Sequence, residues 1–372
     1  MLSPRKMPKI SDIIRAIEQF APPALQESYD NAGLLVGDQK QEVTGVLICL
    51  DSTEDVVAEA IEKNCNLIVA HHPIIFGGLK RLTGSNYIQR TVIKAIKNDI
   101  AIYAAHTNLD NVKAGVNKVF AEKLGLENLK ILSPKSRNLL KLTTFIPEEQ
   151  EEEVTEAMHQ AGAGQIGEYK NCSFRILGDG YFQPSENANP TIGEAGGEIE
   201  KVKEVRVEVI FDAHRKGVVI AALKNAHPYE EVAYYLHALE NTNQETGSGM
   251  VGTLPKPMPM IDFLKKMKTD FRLGVIKHTA LLDRPVKKVA VCGGSGSFLL
   301  RSAIGAGADL YITADFKYHE FFDAENRITI ADIGHYESEV HTKEIFVEIL
   351  SKNFLNIAVH VSQVNTNPVS YI

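Results

Sequence analysis

Five residues in three separated segments could do chemistry together: His71 and His72, Asp110, and His335 with Glu339. Each segment has the same design, an apolar run that reads as a buried strand and ends in imidazole or carboxylate groups. Asn66 to Ala70 runs into His71-His72-Pro73. Ile100 to Ala105 runs into His106-Thr107-Asn108-Leu109-Asp110. Arg327 to Ile333 runs into Gly334-His335-Tyr336-Glu337-Ser338-Glu339. In an open parallel sheet, ligands bind beyond the carboxyl ends of the strands. Three such ends therefore predict one polar site. Its nitrogen and oxygen donors suit zinc first, then iron or manganese, better than calcium or magnesium. Each part also has a plainer explanation. The His-His pair fits an exposed turn, Asp110 fits a helix cap, and His335 with Glu339 fits a surface pair on a helix starting near Tyr336.

The elements that must position these residues alternate between strand and helix. Asp12 to Phe20 has the apolar spacing of an amphipathic helix, with Ser11 as its N-cap and Pro22-Pro23 ending it. Val46 to Leu50 reads as strand, Glu54 to Asn64 as helix and Leu67 to Ala70 as strand. Tyr87 to Asn98 then reads as helix and Ile100 to Ala105 as strand, the pattern of a parallel sheet. The C-terminal part repeats it. Lys288 to Cys292 is a strand, Phe298 to Ala306 a helix, and Leu310 to Thr313 a strand ending at Ala314-Asp315. Gly45 to His72 and Lys287 to Asp315 share pattern and length, which predicts two similar α/β halves facing each other across the site.

Between the halves the pattern changes. Lys141 to Ile146 (strand) and Glu148 to Ala161 (helix) precede a Gly/Asn/Pro-rich stretch, Gly178 to Gly197. Glu204 to Phe211 (strand) and Arg215 to Asn225 (helix) come after it. The expected organisation is a discontinuous core, 1–133 with 260–372, and an inserted α+β domain, 134–259, bounded by prolines.

Composition narrows the function classes. Hydrophobic content is 44%, charged content 23% and net charge -7, without a Lys/Arg tract, so nucleic-acid binding is not favoured. Apolar runs fall short of membrane-spanning length. Met1 to Lys9 is basic with no apolar signal core after it, giving a cytoplasmic expectation. Cys49, Cys65, Cys172 and Cys292 lack metal or disulfide spacing, and Cys49 and Cys292 read as buried thiols.

Taken in order, Tyr29-Asp30-Asn31-Ala32-Gly33-Leu34-Leu35-Val36-Gly37 and the three His/carboxylate segments resemble the motifs of the GTP cyclohydrolase I type 2-like family, also called the NGG-one-interacting-factor-three family. The family usually has Trp where this chain has Tyr29. The inserted segment, with His227-Pro228-Tyr229-Glu230-Glu231, resembles the PII-like, ferredoxin-like insertion of the longer bacterial members. The resemblance implies two divalent metal ions per subunit held by His71, His72, Asp110, His335 and Glu339, with Asp110 and Glu339 suited to bridging. It also implies a toroidal homohexamer.

A two-metal site suits hydrolysis of a nucleotide or another phosphorylated small molecule. His106 and His319 are candidate proton relays, oriented by Asp315 and Glu337, and His341 reads as a surface residue. Gly293 to Ser297 could seat a phosphate at the start of the Phe298 helix. His227 to Glu231 reads as structural, opening a helix after Pro228. The competing function class is a metal-binding regulatory or chaperone-like protein whose inserted domain senses a ligand.

Overall fold

The computed structural model describes residues 7–372, so the first six residues of the basic N-terminal stretch lie outside it. It divides into two compact units, residues up to Ser133 with Glu245–Ile372, and Pro134–Gln244. The chain begins α1 (Ile10–Phe20), β1 (Gly33–Val36), β2 (Gly45–Cys49), α2 (Glu54–Glu62), β3 (Leu67–Ala70), α3 (Tyr87–Lys97), β4 (Ala101–Ala104), α4 (Thr107–Asp110), α5 (Val116–Lys123) and β5 (Glu127–Ser136). It continues β6 (Leu139–Pro147), α6 (Glu151–Gln160), β7 (Phe174–Phe182), β8 (Glu200–Asp212), α7 (Lys216–Ala226), β9 (Tyr234–Leu239) and β10 (Thr242–Met258). It ends α8 (Met260–Asp270), β11 (Lys277–His278), β12 (Val286–Ser295), α9 (Leu300–Gly305), β13 (Leu310–Ala314), β14 (Thr329–Asp332), α10 (His335–Glu339), α11 (Thr342–Asn353) and β15 (Ala358–Val361).

The larger unit is a mixed α/β structure with two sheets. The first runs β1-β4-β3-β2-β15. Strands β4, β3, β2 and β15 are parallel, and β1 is antiparallel to β4. The second runs β11-β14-β13-β12-β10-β5. Its β14, β13 and β12 are parallel, with β11 antiparallel to β14. Thus β1-β4-β3-β2 and β11-β14-β13-β12 have the same order and directions, the two similar halves expected from the sequence repeat.

These strands read as unbroken apolar runs because both faces are covered. Val46, Ile48, Leu67 and Val69 point to one side with Ile13 and Ile17 of α1 and Phe346 of α11. Leu47, Cys49, Ile68 and Ala70 point to the other side with Val56 and Val57 of α2. Burying each large side chain contributes about 1.5–3 kcal/mol. That burial fixes the register of the strands, and hence the direction in which each strand end points its polar residues. Helix α1 starts earlier than its sequence suggests. The cap is Lys9, whose backbone N–H donates to Asp12 Oδ2 at 2.9 Å, and Ser11 lies inside the first turn.

Two boundaries differ from expectation. The second edge of the inserted unit is Gln244, not Pro259. Met250 to Thr253 of β10 pair with β12, so residues 245–258 belong to the second sheet. Pro255 and Pro257 fall in the irregular stretch between the paired Thr253 and Met258, Pro259 comes just after it, and none marks a domain edge. In addition, the start of the Gly-rich stretch is strand. Residues 174–182 pair antiparallel with β8 over nine positions, including Gly178 and Gly180.

The inserted unit, taken alone, has the chain order β6-α6-β7-β8-α7-β9 and the sheet order β7-β8-β6-β9. All three pairings are antiparallel. This is the βαββαβ arrangement of ferredoxin-like units. Leu142, Ile146, Val207 and Val209 face Val154 and Met158 of α6 and Val219 and Leu223 of α7 in its core. No helix opens at Pro228. Helix α7 ends at Ala226, and buried His227 uses Nε2 on the Phe145 carbonyl (2.9 Å) while its Nδ1 accepts the Tyr229 N–H (3.1 Å).

Candidate metal centre

Every sequence-selected ligand lies beyond the carboxyl end of a parallel strand. His71 and His72 leave β3, Asp110 ends the short helix after β4, and His335 and Glu339 begin and end the short helix after β14. Asp51 comes after β2 and Asp315 after β13. The two sheets meet at these ends.

Four imidazoles converge there, and each has its Nδ1 committed. His71 Nδ1 bonds the Ala105 carbonyl (2.9 Å) and His72 Nδ1 bonds Asp51 (2.7 Å). His106 Nδ1 bonds Asp30 (2.7 Å) and His335 Nδ1 bonds Asp315 (2.6 Å). Such partners fix the ring and leave Nε2 as the metal donor. The Nε2 atoms of His72 and His335 lie 3.4 Å apart, and both face Glu339 Oε2, at 2.9 and 3.0 Å. His71 Nε2 lies 3.6 Å from Asp110 Oδ1 and 3.9 Å from Glu339 Oε1.

Three groupings reach metal-holding geometry among the described residues: His72 with His335 and Glu339, His71 with Asp110 and Glu339, and His71 with His72 and His106. Glu339 is common to the first two, one oxygen towards each, which is the bridging disposition. Asp110 enters only one.

The donor set also fits metal by what it lacks. His71 Nε2 and Asp110 Oδ1 are buried without a hydrogen-bond partner. Buried polar atoms left unpaired cost about 1–3 kcal/mol each, so two adjacent ones mark a place made for a cation. Burial pulls His71 down to about 3, leaving it neutral and able to donate a lone pair. Burial opposes charge on His72 and His335 too, but hydrogen bonds to Asp51 and Glu339 raise His72 to about 9, and those to Asp315 and Glu339 raise His335 to about 11. Burial and the Glu339 charge push Asp110 well above the usual carboxylate range. Burial pushes Glu339 the same way, but hydrogen bonds from His335 and His72 hold it well below that range.

The glycine segment has another task than phosphate binding. The Gly293 N–H donates to Asn117 Oδ1 (3.0 Å) and the Gly294 N–H to Ser338 Oγ (2.9 Å), so neither is free for an anion. A Cβ on Gly294 would overlap Glu339 Oε1, and Gly294 has φ +62°. The segment therefore makes room for Glu339 and anchors α10 through Ser338. The next helix, α9, has only six residues.

Of the proposed relays, His106 lies among the candidate ligands. Its ring lies 5.3 Å from that of His71 and 5.4 Å from that of His72. His319 is exposed, packs on Tyr318 and Phe322, and bonds none of the five candidate ligands. Asp315 orients His335, not a relay, from a left-handed backbone (φ 59°). Glu337 holds Asn367 of the C-terminal segment (3.0 Å). His341 is half-buried against Phe271 and bonded to Glu344.

Sequence reasoning missed Asp30, Asp51 and Thr366. Asp30 accepts from His106 and also from the Thr107 N–H (3.0 Å) and hydroxyl. Asp51 takes His72 on one oxygen and the Thr366 hydroxyl on the other (2.6 Å). Asp51 sits just after an apolar strand, the same signal that selected His71, and Asp30 lies in the Tyr29–Gly37 motif. Thr366, 315 residues from Asp51, had no local signal.

A cleft of about 500 Å³ opens beside the centre, lined by His72, His335, Asp315, Lys277, Tyr336 and Tyr371 among others. Paired α/β halves with a carboxylate-braced His/Asp/Glu cluster at their strand ends and a cleft alongside define a protein with a candidate metal centre. Residues 8–368 match the family model Duf34/NIF3 (NGG1p interacting factor 3), and the chain belongs to that family. It is 40% identical over 366 residues to a Bacillus subtilis protein named GTP cyclohydrolase 1 type 2 homolog, covering 97% of this chain and 98% of the other. A Bacillus cereus crystal structure described as related to NIF3 matches at TM-score 0.87 and 39% identity, over 99% of this chain and 100% of that one. A Staphylococcus aureus structure matches at TM-score 0.78 and 32% identity, over 98% and 99%. No helix among the described residues is long and apolar enough to cross a membrane.

Proposed function

We propose that the chain is a hydrolase with two divalent ions, zinc first and iron or manganese next, acting on a nucleotide or other phosphorylated small molecule. The observation that carries this is the convergence of the imidazole Nε2 atoms and two carboxylates, with orphaned atoms at His71 and Asp110, beside an open cleft. His71, His72, His106, Asp110, His335 and Glu339 would hold the ions. When bound, such ions lower the pKa of water and offset negative charge developing on a phosphoryl or carbonyl oxygen.

The rest falls to this chain's own residues. Asp30, Asp51 and Asp315 keep the rings turned inward. Asp51, Asp315, Asp332 and Glu337 make the cleft lining acidic, and Lys277, its only lysine or arginine among the described residues, is paired with Asp332 at 2.7 Å. Bound ions would add positive charge beside this lining and favour an anionic substrate. This supports metal-dependent substrate binding. The cleft itself supports turnover over a closed regulatory site.

The ferredoxin-like order of the inserted unit supports reading it as PII-like. The exposed Phe298, Tyr318 and Phe322 are the kind of surface that assembly covers, and we include a toroidal homohexamer and a cytoplasmic location in the proposal. The test is formate release from GTP, and phosphate release from a panel of phosphoesters, by zinc-, iron- and manganese-loaded protein. Activity should appear with one substrate and fall at least a hundredfold in Glu339→Gln. Equal rates in the two proteins would indicate contamination and refute the hydrolase reading.

A further inference from the structure

The inserted unit has a cavity of its own, of about 490 Å³, on the sheet face away from α6 and α7. Phe145, Glu204 and Tyr235 rise from β6, β8 and β9 to form its floor. Phe182 and the segment after it form one wall, and Tyr229 to Ala233 form the other. The walls are tied together, because Asn189 N–H donates to Glu230 Oε1 (2.8 Å) and Thr191 Oγ donates to the Pro228 carbonyl (2.8 Å). The volume is that of a small-molecule site.

The lining has a definite charge character. Among the described residues, five aromatic rings line it, from Phe145, Tyr181, Phe182, Tyr229 and Tyr235, with three carboxylates, Glu204, Glu230 and Glu231, and no lysine or arginine. The rings are arrayed in pairs, Phe145 with Tyr235 at 6.0 Å and Phe182 with Tyr229 at 6.1 Å. Glu204 is held in place, since it accepts from the Tyr229 hydroxyl (3.1 Å) and packs on Gly180, where a Cβ would overlap its Oε2. The His227 bond to the Tyr229 N–H sets that wall, which gives the His227-Pro228-Tyr229 motif a purpose the metal centre does not supply. Aromatic faces attract cations, most strongly where water is excluded. Lys201 already lies over the Tyr181 ring at 5.6 Å. Three carboxylates without a lysine or arginine repel phosphates and carboxylates.

We propose that this cavity binds a small organic ammonium ion, its charge against Glu204 and its carbon skeleton against the tyrosine and phenylalanine rings. The site is independent of the metal centre and of the hydrolase reading.

The test uses the full-length protein and calorimetric titration with choline and with cadaverine. The controls are 3,3-dimethylbutan-1-ol, the neutral carbon analogue of choline, and GTP as a competitor. One amine should bind once per chain, with the alcohol at least tenfold weaker and GTP failing to displace the amine. Glu204→Gln with Glu231→Gln should weaken the amine at least tenfold, with an unchanged melting curve and unchanged zinc content. Gly180→Ala, which displaces the Glu204 carboxylate without removing it, should weaken binding in the same direction. Failure of both amines to bind, equal affinity for the alcohol, displacement by GTP, or full affinity in the folded double variant would overturn the proposal. So would cross-linking of the cavity rim to a second copy of the chain.

Discussion

The segments after β4 and after β14 hold equivalent places in the two halves, and each has a histidine and, four residues later, a carboxylate on a short helix. One is His106 with Asp110, the other His335 with Glu339. Each histidine gives its Nδ1 to an aspartate, Asp30 or Asp315. The surroundings differ. Asp30 is fully enclosed and is also bonded by Thr107, whereas Asp315 is 48% exposed at the cleft. Where β2 is followed by Asp51, the last part of β12 has glycines that yield space to Glu339. The aspartate behind His106 is thus a closed clamp, and the one behind His335 stands open to the cleft. The same local design can be made rigid or accessible by the residues that stand behind it.

The largest effect should come from cutting into the second half. Excising Pro134–Gln244 and rejoining the ends with a short Gly/Ser linker should leave a cooperatively folding protein that binds metal. Extending the cut to Pro259 removes buried Met250, Val251 and Leu254 and unpairs one edge of β12. At about 1.5–3 kcal/mol for each large side chain, that loss rivals the whole stability of a domain. Circular dichroism melting should show a sharp transition in the first protein and none in the second.

Next in size is the contrast between the two bracing aspartates. Asp30→Asn and Asp315→Asn should each weaken zinc about 10–100-fold, the usual range for such partners. Only Asp30→Asn should also lower the melting temperature, because it unbalances enclosed bonds to His106 and Thr107. Equal stability losses in the two variants would remove the distinction between clamp and open half.

Proton exchange gives a more graded effect. Without metal, His72 and His335 are raised to about 9 and about 11 and carry protons at neutral pH, while His71, near 3, does not. Metal must displace those protons, so affinity should rise with pH, by about tenfold per unit for each proton released. Zinc titrations at pH 6.5 and 8.0, in buffers of different ionisation heat, measure this. Affinity independent of pH would contradict it.

Much of this was legible in the sequence. Apolar runs ending in His71-His72, in His106 to Asp110 and in His335 to Glu339 carried the strands, the site and the similarity of the halves. Matching the halves at His72 and Asp315 hides a deeper equivalence. The equal four-residue spacing of His106–Asp110 and His335–Glu339 exposes it and makes His106 a candidate ligand as well. The glycine segment misled because glycine serves phosphate binding and close packing alike, and only the position of Glu339 decides between them. Pro255 to Pro259 misled because prolines in an irregular stretch of a strand look like a linker. Thr366 could not be found, because its bond to Asp51 exists only once β15 has paired with β2 and carried the C-terminal segment across the sheet end.

The central claim is that the two halves hold two ions that meet at Glu339. The direct measurement is zinc content per chain, by mass spectrometry after equilibrium dialysis at nanomolar free zinc, for wild type, His106→Ala and His335→Ala. The expected values are two for wild type and about one for each variant, with Glu339→Gln below either. A wild type that binds a single ion, or a His335→Ala protein that keeps two, would contradict the claim.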